Sequence, residues 1–391
     1  MAKTETHIPK LRFAGFAGYL DSSSLKEVAL VKDGTHQTPE YTESGVKFLS
    51  VENIEKLASS NKFISEIDFE NNFKIKPQLN DILMTRITAG EIGKTAIIKE
   101  LPYAYYVSLA LIRLNQKVSP NFFHQYAGSS YFKKELNKRI IHVAFPKKIN
   151  LSDLGNCLLS YPSLQEQTKI GDFFQKIDQV IELQQKALDT ARDYKKSMLQ
   201  KMFPQKGEKV PQIRFDGFSG DWKYFMLEEI TDRYDNLRIP ITASERVLGD
   251  TPYYGANGIQ GYVKGYTHDG ENILIAEDGA NDLVDYPIQY VVGKIWVNNH
   301  AHVLSAKPTC DTKFLSYGMK NINFAPFLVG GGRAKLNANV MMQIKLKIPK
   351  LEEQQKIGAF FQKLDQRIEQ HEKKLQSYQN LKKAMLQRLF V

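Results

Sequence analysis

The chain says the same thing twice. "YPSLQEQTKIGDFFQKIDQVIELQQKALDTARDYKKSMLQKMF" runs from Tyr161 to Phe203, and "IPKLEEQQKIGAFFQKLDQRIEQHEKKLQSYQNLKKAMLQRLF" runs from Ile348 to Phe390. Aligned without a gap, about half of the positions are identical. A shorter pair of phrases opens each half: "IPKLRFAGFAGYL" from Ile8 and "VPQIRFDGFSGDW" from Val210. The order is opener, dissimilar stretch, long phrase, then the same again. The long phrases are offset by about 190 residues, whereas a solenoid unit spans roughly 20–50. The repeat is therefore a duplicated module, and the fold must accommodate two of them.

Each long phrase reads as one helix. In the first, Ile170, Ile177, Gln184, Ala191 and Met198 form one heptad row, and Phe174, Ile181, Leu188, Lys195 and Met202 the other. The second copy has Ile357, Leu364, His371, Tyr378 and Met385 beside Phe361, Ile368, Leu375, Lys382 and Leu389. Apolar residues at this period make a coiled-coil seam. No glycine or proline interrupts 172–203 or 359–390, and Pro162 and Pro349 precede each start, where proline is tolerated. Polar residues fall at matching rows, Gln184 with His371 and Lys195 with Lys382. They either fix register or are solvated at the helix ends, as lysine's long stem allows. A helix of about 35 residues is about 50 Å long. Two of them packed antiparallel would relate the halves by an approximate two-fold axis. Dimeric DNA readers use that geometry for half-sites about one turn, roughly 34 Å, apart.

Composition narrows the class. At 391 residues the chain exceeds one typical domain. The formal net charge of +10 points to an acidic partner, nucleic acid first, and argues against a mimic of DNA. Cys157 and Cys310 are the two cysteines and have no CxxC spacing, so neither a zinc ribbon nor a disulfide framework is indicated. "MAKTETHIPK" lacks an apolar signal core, and no run approaches the roughly 18 apolar residues of a membrane helix. A cytoplasmic protein without membrane association is expected.

The dissimilar stretches read as mixed α/β globules, so the fold class is α/β (α+β). "GVKFLSV", "DILMTRI", "KTAIIKE" and "VSLALIRL" predict strands in the first; "NILIAED", "QYVVGKIWVN" and "AHVLSA" predict strands in the second. Polar and glycine-rich links such as "KDGTHQTPEY", "TRITAGEIGK", "YGANGIQGY", "EDGANDLVD" and "GGGRAKLN" predict loops. Their Arg, Lys, Asn, Gln and Glu suit base edges, and their hydroxyls suit phosphates. The DNA-contact candidates are Thr35, His36, Arg86, Thr88, Glu91, Lys94 and Ser108 in the first stretch. In the second they are Tyr254, Asn257, Gln260, Asn281, Asn299, His300, Arg333 and Lys335. An ordinary loop role competes at every single position; the group carries more weight than its members.

Catalytic signatures are missing. There is no GxxxxGK[ST], so "VGGGRAK" is not a nucleotide P-loop. His300 and His302 form an HxH pair without a clustered third ligand, which suits structure or DNA contact better than zinc. There is no GxSxG and no supported Cys-His set. "EIGK" after Asp81 has the wrong spacing for a nuclease site, and neither the glycine motif nor the Asn/Asp-Pro-Pro-aromatic motif of a DNA amino-methyltransferase is present.

The two "EQxKIGxFFQKxDQxIE" segments, each followed by "LxxxxxxKKxMLQxxF", resemble the specificity subunit of Type I restriction-modification systems. So do the two openers and the phrases "DGTHQTPEY" and "NDILMTRITAGEIGKTAII". The resemblance covers essentially the whole chain. It implies target recognition domains at 1–160 and 206–347 and conserved spacer helices at 161–205 and 348–391, the helices antiparallel. It implies that each recognition domain reads one part of a bipartite duplex DNA target in the major groove. It further implies two modification (methyltransferase) subunits docked on the spacer, with restriction (translocase-nuclease) subunits joining them. S-adenosylmethionine would belong to the modification subunits, and ATP with Mg to the restriction subunits; this chain would hold no cofactor and no metal. Docking would map to Gln167, Phe173, Phe174 and Asp178, and to Gln354, Phe360, Phe361 and Asp365, unless Phe173 and Phe360 only pack the coil or brace their own globule. The competing readings are a coiled-coil adaptor without DNA reading and a self-contained methyltransferase or nuclease, the latter disfavoured by the missing motifs.

Overall fold

The computed structural model describes residues 8–330 and 333–390. The chain divides into two compact units. The first takes the chain up to Gln184 and again from Lys374; the second runs from Gln185 to Lys373. Both divisions fall inside the long helices, Leu164–Lys201 and Leu351–Arg388. They do not fall at the junctions of globule and helix, where the sequence places domain boundaries. The reason is packing: each helix starts in the core of one unit and ends in the core of the other.

In the first unit a four-stranded antiparallel sheet has the order Ala29–Asp33, Leu109–Leu114, Ile82–Thr85, Thr95–Ile97. A three-stranded sheet joins Phe63–Ile64, Val46–Leu49 and Tyr103–Tyr105. Two ribbons complete it: Asp21–Ser24 with Leu158–Tyr161, and Ile87–Thr88 with Lys147–Lys148. The second unit repeats this plan. Its four-stranded sheet runs Thr231–Arg233, Ala301–Ala306, Glu271–Ala276, Ile288–Val292. Its three-stranded sheet joins Gly258–Val263, Leu248–Gly255 and Trp296–Val297. Its ribbons are Lys223–Met226 with Lys345–Ile348, and Leu328–Val329 with Lys335–Leu336. Two stretches with little shared sequence thus share one strand order, because a strand asks only for β-branched or aromatic residues on its inner face.

The predicted strands form within the expected stretches. "YGANGIQGY" is a correction: it is a hairpin, not a loop, with strands on either side of Ala256–Asn257. Gly258 takes φ +115°, which only glycine adopts freely, and so permits the tight reversal. The strand Gly258–Val263 is mostly exposed and carries too few apolar residues to show an alternation.

Short helices join each sheet to a long helix. Pro120–Ala127 begins with proline at its first position. Thr312–Met319 is capped by Asp311, whose carboxylate accepts from the Phe314 N–H at 2.8 Å. A Cβ on Gly171 would lie 2.9 Å from that of Asn121, so a larger residue would push the first long helix off the short helix Pro120–Ala127.

Each core is closed by the end of a long helix. In the first unit Leu389 and Phe390 are buried with Phe122, Phe123, Ile170 and Phe174, and Phe390 stacks on Phe174 at 5.7 Å. In the second, Met202 and Phe203 are buried with Phe314, Ile357 and Phe361. The helix segments inside each unit run antiparallel. Asp178 pairs with Lys382 (2.6 Å) while Phe174 meets Phe390; Arg192 pairs with Glu372 (2.6 Å) while Phe203 meets Phe361. The seam lysines are not solvated helix ends; each pairs with a carboxylate on the other long helix. Lys382 binds Asp178 and Lys195 binds Asp365.

Candidate nucleic-acid interface

The repeated phrases hold each globule to its own helix, and they do so twice with the same parts. Arg12 of the first opener clasps buried Glu166 (Nε–Oε1 2.9 Å), and Arg214 of the second clasps buried Glu353 (2.7 Å). Gln167 accepts from the Ser119 N–H at 2.8 Å and donates to the carbonyls of Lys117 and Pro162. Gln354 accepts from the Asp311 N–H at 3.0 Å and donates to the Pro349 carbonyl. Phe13 packs edge-on to Phe173, and Phe215 edge-on to Phe360. Asp178 accepts from Gln125, and Asp365 from Tyr317. Gln167, Phe174, Gln354 and Phe361 are wholly buried. The expected docking set is corrected at Gln167, Phe174, Gln354 and Phe361, which are taken up by internal contacts and offer no surface to a second protein; Phe173, Asp178, Phe360 and Asp365 are part-exposed.

The first-unit DNA candidates separate into two places. Thr35, His36, Arg86 and Ser108 lie at one end of the four-stranded sheet. The Thr35 N–H donates to the Tyr105 carbonyl and its own carbonyl accepts from Val107; the exposed His36 ring sits 2.8 Å from Asp33. Arg86 and Ser108 are buried and are corrected as base readers. The Arg86 guanidinium bonds Asp33 (3.3 Å) and the carbonyls of Val107 (3.1 Å) and Ile149 (3.3 Å), so it ties three loops together. Thr88 lies on the neighbouring ribbon and accepts from the Gly90 N–H. Glu91 and Lys94 lie further round, in ion pairs with Lys133 (2.7 Å) and Glu55 (2.6 Å).

The second unit brings its candidates closer together. Asn257 donates to the Gly279 carbonyl and accepts from the Asn281 N–H, each at 2.9 Å. Asp278 sits 2.7 Å from both His300 and Arg333, and Lys335 pairs with the adjacent Glu277 at 3.0 Å. Burial alone would raise the Asp278 carboxyl, but the hydrogen bond and charge of His300, with those of Arg333, hold it below the usual range. Asn257, Gln260, Asn281 and Asn299 are exposed amides, the side chains able to bond adenine through donor and acceptor together. Tyr254 is corrected: it is buried with Leu274, Val291 and Val297.

Beneath this face lies a polar cluster that the sequence pairing of His300 with His302 does not disclose. His302 is buried, with Nδ1 at 2.7 Å from Asp235 and Nε2 at 2.8 Å from the Leu336 carbonyl. The ring thus bridges the Asp235 carboxylate and the Leu336 carbonyl. Asp235, Glu277 and His302 are close enough to hold a cation, but the Arg238 guanidinium already pairs with both carboxylates and the Lys335 ammonium with Glu277. The cluster replaces the arginine of the first unit. Asp235 occupies the place of Asp33, and the Leu336 carbonyl that of Ile149: the Leu336 N–H donates to Glu277 as the Ile149 N–H donates to Arg86. One unit ties its ribbon with Arg86, the other with His302.

Burial alone would raise Asp235 and Glu277. His302 at Asp235, and Arg238 and Lys335 at Glu277, hold both below the ordinary carboxylate range. Their stabilising effect is complete above an ordinary carboxylate pKa of about 4 and is lost as pH falls through the lower folded values. Replacing His302 with Ala is expected to cost the second unit about 2–3 kcal/mol. Hydrogen exchange at Lys335–Leu336 would read it; unchanged protection there would contradict the role.

Sequence reasoning passed over the ribbon lysines Lys147 and Lys148, which pair with Thr88 and Ile87. Their signal was available, since the segment from Lys138 to Asn150 contains no acidic residue.

Comparison with known proteins agrees with the duplication. The model of a family described as the Type I restriction modification DNA specificity domain matches residues 20–191 and again 219–377. A Haemophilus influenzae protein assigned as a type I restriction enzyme specificity subunit is 48% identical over 142 residues, 36% of each chain. The Escherichia coli type I restriction enzyme EcoprrI specificity subunit is 31% identical over 114 residues, 29% of this chain and 28% of that one. The matches thus span about a third of the length of these two relatives. The crystal structure of a Type-I restriction-modification system S subunit from M. genitalium superposes with a TM-score of 0.70 at 16% identity, over 98% of this chain and 99% of that one.

Proposed function

Because the chain belongs to the family of the Type I restriction modification DNA specificity domain, we propose that it reads a two-part DNA target, one part with each unit. The observation that supports this most is the duplication. Two units of one strand order each place polar loops at the same end of a four-stranded sheet, and in the second those loops carry the exposed amides of Asn257, Asn281 and Asn299. Amides discriminate bases but cannot alone drive binding; the net charge of +10 supplies general attraction to the duplex.

In this reading the chain contributes recognition and scaffolding, without catalysis. Two modification subunits would bring S-adenosylmethionine and methylate adenine. Restriction subunits would bring ATP and Mg. Among the described residues no helix is long and apolar enough to cross a membrane, and we place the complex in the cytoplasm with its DNA. Genome-wide adenine methylation in cells making the chain with its modification subunit tests the proposal. A gapped two-part motif is expected only when the chain is present; an active modification subunit that yields no such motif would refute it.

A further inference from the structure

The hairpin that pairs Ile141 with Lys148, and whose second strand also pairs with Ile87–Thr88, closes in a turn that exposes two apolar side chains. Val143 is 96% exposed and Phe145 93%. The turn is firmly seated. The Ile141 N–H donates to the Lys148 carbonyl at 2.8 Å, the Ile149 N–H to the Arg86 carbonyl at 3.0 Å, and the Arg86 guanidinium to the Ile149 carbonyl. The His142 ring donates to the Asn137 carbonyl at 3.2 Å. A turn held at both feet projects its tip in a set direction. The segment from 138 to 150 carries Lys138, Arg139, His142, Lys147 and Lys148 and no acidic residue; Glu91, which shares a cavity with His142 and Lys147, is paired with Lys133. Lys138 and Arg139 pair with Glu135; Lys147 and Lys148 are exposed.

An apolar point in a basic surround suits a polyanion that also displays an apolar feature. On duplex DNA the major groove admits a two-stranded ribbon, and the one apolar group on its base edges is the thymine 5-methyl. Resting on the DNA-reading proposal above, we propose that Phe145 reads a thymine methyl in the part of the target read by the first unit, with Lys147 and Lys148 on the flanking phosphates. The corresponding hairpin of the second unit, Leu328–Val329 with Lys335–Leu336, presents Arg333 in place of an aromatic, 2.7 Å from Asp278, so the two parts would be read by different chemistry.

The test uses the full chain assembled with its modification subunits and duplexes carrying the motif found by methylation mapping. Each thymine of the first part is replaced in turn by uracil, which removes only the methyl group. One replacement is expected to weaken binding roughly tenfold. Phe145→Ala should weaken binding to the thymine duplex by the same factor and abolish the thymine-uracil difference, while Phe145→Leu retains part of it. The residue is exposed, and an unchanged unfolding midpoint confirms the variant's fold. Thymine dependence that survives Phe145→Ala, or none at any position, would overturn this inference alone. Phe145→Ala weakening assembly with modification subunits while sparing DNA would assign the tip to a protein and also overturn it. 2-Aminopurine brightening beside the site would show insertion between bases instead of methyl contact. An unaltered complex with no sequence preference would overturn the DNA-reading proposal as well.

Discussion

Residues 1–203, separated by cutting the chain in the linker that starts at Pro204, are expected to dimerise. This half keeps the first globule and the first long helix but loses Leu389 and Phe390, which fill the core beside Phe122 and Phe174. Its own helix end carries Met198, Met202 and Phe203, which the second unit normally buries. The half therefore has both an open core and an apolar end with nowhere to go. The two long phrases match row for row, so Met202–Phe203 of one copy can enter the place of Leu389–Phe390 in another, and Lys195 can meet Asp178 as Lys382 does. Each swap buries side chains worth about 1.5–3 kcal/mol apiece, and a symmetric pair makes two swaps. Sedimentation should give a dimer, weakened by Phe203→Ala. With modification subunits, the dimer should direct methylation to a symmetric target made of two copies of the first part. A half that stays monomeric at micromolar concentration with those subunits would refute the shared-core account.

Arg12→Ala should destabilise the first unit by about 3 kcal/mol, because it strands a buried carboxylate at Glu166. The cost lies mainly in the partner left behind. Replacing Arg12 and Glu166 together with methionines should therefore cost less than Arg12→Ala alone. Arg214→Ala repeats the experiment in the second unit against Glu353. Denaturant unfolding checks both, with hydrogen exchange at the start of each long helix assigning the loss to its unit. Equal losses in single and double variants would show that packing, not the unpaired charge, sets the cost.

Periodicity made the long helices and most strands legible, and the internal repeat announced two modules. Composition and spacing could not say what the repeated residues face. Gln167 and Phe174 look like part of an exposed docking motif in one dimension; in three they are buried, because the opener and the short helix Pro120–Ala127 fold onto that side of the long helix. Arg86 misled for a similar reason. An arginine in a glycine-rich loop suits DNA equally well whether it points out or ties three carbonyl-bearing loops together, and only the fold distinguishes the two. Asn257, Asn281, His300, Arg333 and Lys335 lie as much as 78 residues apart, yet they converge because the strand order brings their loops to one end of the sheet.

The closing of the first core by Leu389 and Phe390 also sets an order of events on the ribosome. The second unit needs nothing beyond Lys373, whereas the first waits for residues made about 190 positions after Phe203. At roughly 5–20 residues per second, that wait is on the order of 10–40 s. Through that interval the nascent first half carries an unfilled apolar hole beside Phe174, which gives chaperones a binding site and a neighbouring nascent chain of the same sequence a competing plug. The half translated first is the half that finishes folding last.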